Sequence, residues 1–196
     1  AEGNVTELED CFIEGKLTRL VVDVTDSLER HKFNEAATAL YRFTWDEFCD
    51  WYLEVIKPRL YDKRDGDASR LRVQATLVRV LDTVLTLFHP IIPFVTEEIW
   101  QSVKTVFPQP EEALIVAAFP VCNDTLVDPA IADDMAFMQE AISAARNLRK
   151  QINLSPGARI NLAIRVAAEQ QKDLFARYSA YFGKLAKVDE LDVATD

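Results

Sequence analysis

From Glu7 to Val106 the apolar residues return every three or four positions, and that spacing constrains the fold more than any other feature of the chain. Leu8, Phe12, Leu17, Leu20, Val24 and Leu28 predict a first helix from Glu7 to about Arg30, with Gly15 weakening its early turns by about 1 kcal/mol relative to Ala. A second helix is expected from Asn34 to about Tyr61, on a seam of Phe33, Ala37, Leu40, Thr44, Phe48, Trp51 and Val55. Pro58 should kink or end it, and DKRDGD (62–67) reads as a turn. A third helix, from about Ala68 to Phe88 with Leu71, Ala75, Val78, Leu81, Val84, Leu85 and Phe88 facing inward, stops at His89-Pro90 because the residue before proline is pushed out of the helical region. A fourth begins near Pro93, which suits a first helical turn, and carries Phe94, Val95, Ile99, Val103 and Val106.

Beyond FPQPEE the pattern changes. LIVAAFP reads as a short strand near 114–118 or an extended tether, and Asp128-Pro129 opens a helix over about 128–152. ARINLAIRV alternates apolar and polar residues over 158–166, the period of a half-buried strand. A helix at about 168–185 and a strand at 191–193 follow. The fold class is therefore mainly α, with a four-helix bundle at 1–108 and a small α+β subdomain at 109–196.

The formal net charge of -10 argues against a general nucleic-acid binder, since phosphate affinity comes from Lys and Arg. Any RNA site must be a local basic patch. The acidic opening, AEGNVTELED, does not resemble a signal peptide, and no apolar run reaches the length of a membrane span, so a cytoplasmic chain with no membrane partner is expected. Cys11, Cys49 and Cys122 are widely spaced and odd in number, which disfavours disulfides and a thiolate metal site. His31 and His89 each adjoin a helix end, where capping or hydrogen bonding is expected, and no phosphate-binding glycine loop occurs.

WDEFCDWYLE (45–54) concentrates tryptophan, cysteine and carboxylates, yet a wheel of about 100° per residue separates them into two faces. Trp45, Phe48, Cys49 and Tyr52 fall on an apolar, packing side. Asp46, Glu47, Asp50 and Glu54 fall together on a side that would repel phosphate. No catalytic residue, cofactor or metal ligand is expected.

Three blocks carry a more specific signal. FNEAATALYRFTWDEFCDWYLEVIKPRLY (33–61), LFHPIIPFVTEEIWQ (87–101) and RNLRKQINLSPG (146–157), in that order and spacing, resemble the anticodon-binding region of valyl-tRNA synthetases. The middle block is similar in the isoleucyl and leucyl enzymes, whereas the WDEFCDWYLE block looks valyl. The first helix departs from the family, reading DCFIEGKL, with Cys11, Phe12 and Gly15 at positions where a basic DRWILSRL-like segment is usual.

The resemblance implies a class I synthetase anticodon-binding bundle that grips the anticodon arm of tRNA(Val). In that family other domains join valine to tRNA using ATP and hydrolyse mischarged threonine. Neither a HIGH nor a KMSKS motif is present, so the resemblance implies a monomeric fragment, inactive alone, whose partners are tRNA(Val) and the catalytic and editing domains of its parent. The alternative is a free-standing acidic helical module that binds protein.

RNA is held through phosphates and read through stacked or splayed bases. The foremost basic candidates are Arg146 and Lys150, four apart on one helix side, with Arg149 beside them. Arg42 on the second helix and Arg70, Arg72 and Arg79 on the third are further candidates. Trp45 and Trp51 are assigned to core packing in preference to stacking.

Overall fold

A computed structural model describes residues 7–61, 66–121, 129–155 and 157–195. It divides into two units, Ala1–Asp128 and Pro129–Asp196. Unit 1 contains α1 (Leu8–Glu29), α2 (Phe33–Arg42), a π-helical segment (Phe43–Tyr52), α3 (Leu53–Tyr61), α4 (Gly66–Phe88) and α5 (Pro93–Lys104). Because α2, the π segment and α3 form one continuous rod, the architecture is four rods.

Their core joins Leu17, Leu20 and Val24 of α1 to Leu40, Phe48 and Ile56 of the second rod and Val73, Val80 and Leu87 of α4. Each such side chain contributes on the order of 1.5–3 kcal/mol by leaving water. The turn between α1 and α2 is closed by backbone bonds from His31 N–H to Leu28 and from Lys32 N–H to Ser27, with His31 at a left-handed φ of 59°. His31 thus occupies the position usually given to glycine after a helix.

The second rod departs from the wheel. Its buried residues recur every four positions, as Leu40, Phe48, Tyr52 and Ile56 beside Phe43, Trp51, Val55 and Arg59. In an ideal α-helix each four-residue step overshoots a full turn by about 40°, so four steps would carry this stripe almost to the opposite side. The wider π turn, closed one residue later than an α turn, absorbs the overshoot. Phe33 is correspondingly 59% exposed and lies outside the seam. Pro58 sits inside α3, which continues to Tyr61, so the missing N–H costs a hydrogen bond only in the last turns.

The segment after α5 also differs from expectation. Leu114–Val116 is a 3-10 turn, with no strand at 114–118. Leu114 is buried against Trp100 and Leu85, its N–H donates to the Glu97 carboxylate at 2.9 Å, and Gln101 Nε2 donates to the Glu112 carbonyl at 2.8 Å. These contacts hold the segment against α4 and α5, and the division between units falls after Asp128 instead of near 108. No described helix is long and apolar enough to cross a membrane.

Unit 2 contains α6 (Pro129–Gln151), β1 (Ile160–Val166), α7 (Glu169–Arg177), α8 (Ser179–Leu185) and β2 (Val188–Thr195). The strands pair in parallel, Leu162 against Leu191 and Ile164 against Val193, with a register irregularity after Ile160. Ile160, Leu162 and Ile164 are half-buried while Asn161, Ala163 and Arg165 are exposed, as the alternation predicts. The single helix expected over 168–185 is broken at Tyr178, whose φ of -111° and ψ of 21° leave the helical region. Met135, Met138 and Ile142 of α6 are buried, as are Phe175 and Phe182, whose rings lie 5.3 Å apart.

Candidate nucleic-acid interface

Turning the second rod through its π segment sorts WDEFCDWYLE differently from the wheel. Trp51 is 5% exposed, whereas Trp45 is 55% exposed and stands outside the core. Its ring lies parallel to that of Tyr41, 6.3 Å away with 4° between planes, and Tyr41 is itself 62% exposed. Cys49 is half-buried against the core, and burial followed by the negative charge of Asp50 raises its thiol pKa, which makes it a poor nucleophile. The carboxylates are not one solvated face either. Glu47 accepts from Lys16 of α1 at 2.8 Å and Glu54 pairs with Lys57, while Asp46 and Asp50 are exposed.

The other end of the rod is sealed. Tyr52 Oη donates to Asp10 at 2.9 Å, and Arg59 Nη1 lies 2.8 Å from Asp10 and 3.1 Å from Glu9. Arg59 also donates to the Ser69 hydroxyl at 3.0 Å, which ties α1, α3 and α4 together. Burial opposes the charge on Arg59, but Asp10 and Glu9 outweigh it and raise its pKa. Burial, then the charge of Asp10 and its hydrogen bond, push the Tyr52 phenol far above its ordinary range. A second buried carboxylate, Glu14, accepts from Thr76 and pairs with Arg79. No motif marks this network in the sequence, because its members are brought together only by the packing of three helices.

The histidine and acidic ends of α4 and α5 are structural. His89 Nδ1 lies 2.8 Å from Thr96 Oγ1, and the Thr96 hydroxyl lies 3.0 Å from the Ile92 carbonyl. Trp100 Nε1 donates to Asp82 at 2.8 Å; burial raises the Asp82 pKa, the indole bond lowers it in part, and Glu111 raises it.

The candidate cations separate into committed and free groups. Arg79 is paired with Glu14. Arg146 Nε donates to the Leu185 carbonyl at 2.7 Å and so caps the end of α8. Arg149 is 8% exposed, donates to the Ser155 carbonyl at 3.3 Å and keeps a buried Nη1 with no partner, so it lies inside unit 2 and not on its surface. Lys150 is exposed on the same helix. In unit 1 Arg42, Arg70 and Arg72 are exposed and form no ion pair among the described residues. Arg42 lines a groove of about 360 Å³ between α1 and the second rod, where its charge and those of Lys16 and Arg19 are balanced by Asp23, Asp46 and Glu47.

The bundle thus exposes the guanidinium groups of Arg42, Arg70 and Arg72, with no ion pair among the described residues, and an open aromatic pair next to Arg42. The chain belongs to the family of anticodon-binding domains of tRNA ligases, whose family model matches residues 10–164. Among individual proteins it is similar to the valine–tRNA ligase of Synechocystis sp., 33% identical over 198 residues that cover 100% of this chain and 21% of that protein. It is also similar to the valine–tRNA ligase of Legionella pneumophila strain Paris, 34% identical over 183 residues that cover 93% of this chain and 20% of that protein. The chain thus spans about one fifth of the length of the curated relatives it matches.

Proposed function

We propose that this chain recognises the anticodon arm of tRNA(Val) as part of a valine–tRNA ligase, whose remaining domains attach valine to the tRNA with ATP. The observation that carries the reading is the alignment of the whole chain, without loss at either end, to a valine–tRNA ligase at 33% identity. The parent acts in the cytoplasm as a monomer, and the chain's own partners are tRNA(Val) and the catalytic and editing domains.

In this reading Arg70 and Arg72 on the first turns of α4, together with Arg42 and Lys150, hold phosphates, because all are exposed. Arg146 retains its terminal nitrogens for the same purpose, while Arg149 supports α6 from within and Arg79 is spent on Glu14. Filter binding of tRNA(Val) against a non-cognate tRNA at two salt concentrations tests the assignment. The cognate tRNA should bind more tightly, and Arg70→Glu with Arg72→Glu should weaken it and flatten its salt dependence. Equal binding of both tRNAs, unchanged in the double variant, would sink the reading.

One observation favours a second reading, a protein-interaction module. Ile92, Val95, Ile99 and Val106 form an outward apolar stripe on and beside α5, exposed by 41% to 79%. Under that reading the fragment would show no preference among tRNAs.

A further inference from the structure

We infer that Tyr41 and Trp45 form a stacking platform for an unpaired nucleobase, with Arg42 taking the adjoining phosphate; the inference rests on the RNA-binding reading above. Phe33, Tyr61, Phe94, Phe107 and Phe119 are exposed as well, but Tyr41 and Trp45 are the one exposed pair of parallel rings among the described residues of this chain. It has three tryptophans, and Trp51 and Trp100 are 5% and 1% exposed against 55% for Trp45. The π winding turns Trp45 outward, and nothing in the core requires its ring.

The two rings lie parallel within 4°, their centroids 6.3 Å apart, so their open π-faces share one orientation and a base can extend the stack. Arg42 neighbours both on the helix, next to Tyr41 and three residues before Trp45. It is exposed and has no ion-pair partner among the described residues. Asp46, also exposed, repels phosphate from the side facing α3, whereas the charge of Glu47 is met by Lys16 at 2.8 Å. The sugar-phosphate therefore runs past Arg42 and away from Asp46.

The surroundings distinguish a base from a protein partner. Thr38, Arg42 and Asp46 border the pair on one side, all exposed and polar, so the rings do not belong to the broad apolar patch that a protein interface needs. A flat π-face beside one cation matches an unpaired nucleotide, and such stacking tolerates any base because every base has a π-face.

Trp45 supplies its own probe, being the one strongly exposed tryptophan. Titrating the protein with the anticodon stem-loop of tRNA(Val) should quench its emission and protect it from acrylamide. Trp45→Leu should lose that signal and bind the stem-loop roughly ten-fold more weakly, and Trp45→Phe should recover part of the affinity. Arg42→Gln should keep the quenching and reduce the salt dependence. Binding by the unsubstituted protein without quenching or protection, at an affinity the Leu variant shares, would overturn the platform and leave the RNA reading standing. Failure of the unsubstituted protein to bind either tRNA or stem-loop would overturn both. A dimer seen by sedimentation and lost in Trp45→Leu would assign the rings to a second copy of the chain and overturn the proposal.

Discussion

The two ends of the second rod use the same kinds of side chain for opposite ends. Tyr41, Arg42, Trp45 and Asp46 stand in solvent, with the two rings stacked and the two charges unpaired. Some ten residues on, Tyr52 and Arg59 are buried with Glu9 and Asp10, the guanidinium bridging both carboxylates and the phenol donating to Asp10. An aromatic, an arginine and a carboxylate therefore identify neither a binding site nor a structural clamp. What decides is which way the helix turns them. Groups left open hold nothing in place, so they are available to a ligand, whereas the sealed groups cannot be altered without harm to the fold.

That contrast breaks most readily at Arg59. Arg59→Ala would leave two buried carboxylates facing each other, and a loss of about 3–5 kcal/mol in urea denaturation is expected. A loss below about 1 kcal/mol would mean that water reaches the network and that the two ends differ less than the burial implies. Tyr52→Phe removes one donor to Asp10 and should cost about 1–3 kcal/mol by the same measurement.

The pH dependence sharpens the point. Because the folded phenol titrates far above the unfolded one, the contribution of Tyr52 is complete below the ordinary tyrosine range and is lost as pH rises through and beyond it. The urea midpoint should fall on entering alkali, and should fall less steeply in Tyr52→Phe; equal slopes would place Tyr52 in contact with solvent. At the open end the expectation is reversed. Trp45→Leu should change stability by no more than about 0.5 kcal/mol in a thermal melt, because it removes an exposed ring. A larger loss would show that the aromatic pair is holding the rod.

The contrast also shows where the sequence was legible. Apolar spacing placed the helices of both units, and the alternation in 158–166 placed β1, because each of these periods is local. A wheel at α pitch puts Trp45 on the wrong face, because a fixed step of about 100° per residue does not register the wider turns of Phe43–Tyr52. LIVAAFP has the composition of a strand but pairs with no strand among the described residues; Leu114 instead packs beside Trp100. Of the basic candidates, exposure leaves Arg42, Arg70, Arg72 and Lys150 open, but the burial of Arg149 and the capping by Arg146 depend on contacts with α8 and the turn after α6 that spacing along one helix does not reveal.

The π segment is not without cost, since Thr44 Oγ1 and Trp51 Nε1 are buried there with no hydrogen-bond partner among the described residues. It also gives the rod a tolerance to changes of length. Loss of one residue from within α3 would rotate everything after it by about 100° and swing Arg59 away from Asp10. Loss of one residue between Phe43 and Tyr52 could be absorbed, because some of the wide turns would tighten to ordinary pitch and return α3 to nearly the same bearing. The least regular stretch of the rod is thus the one that can best withstand a deletion.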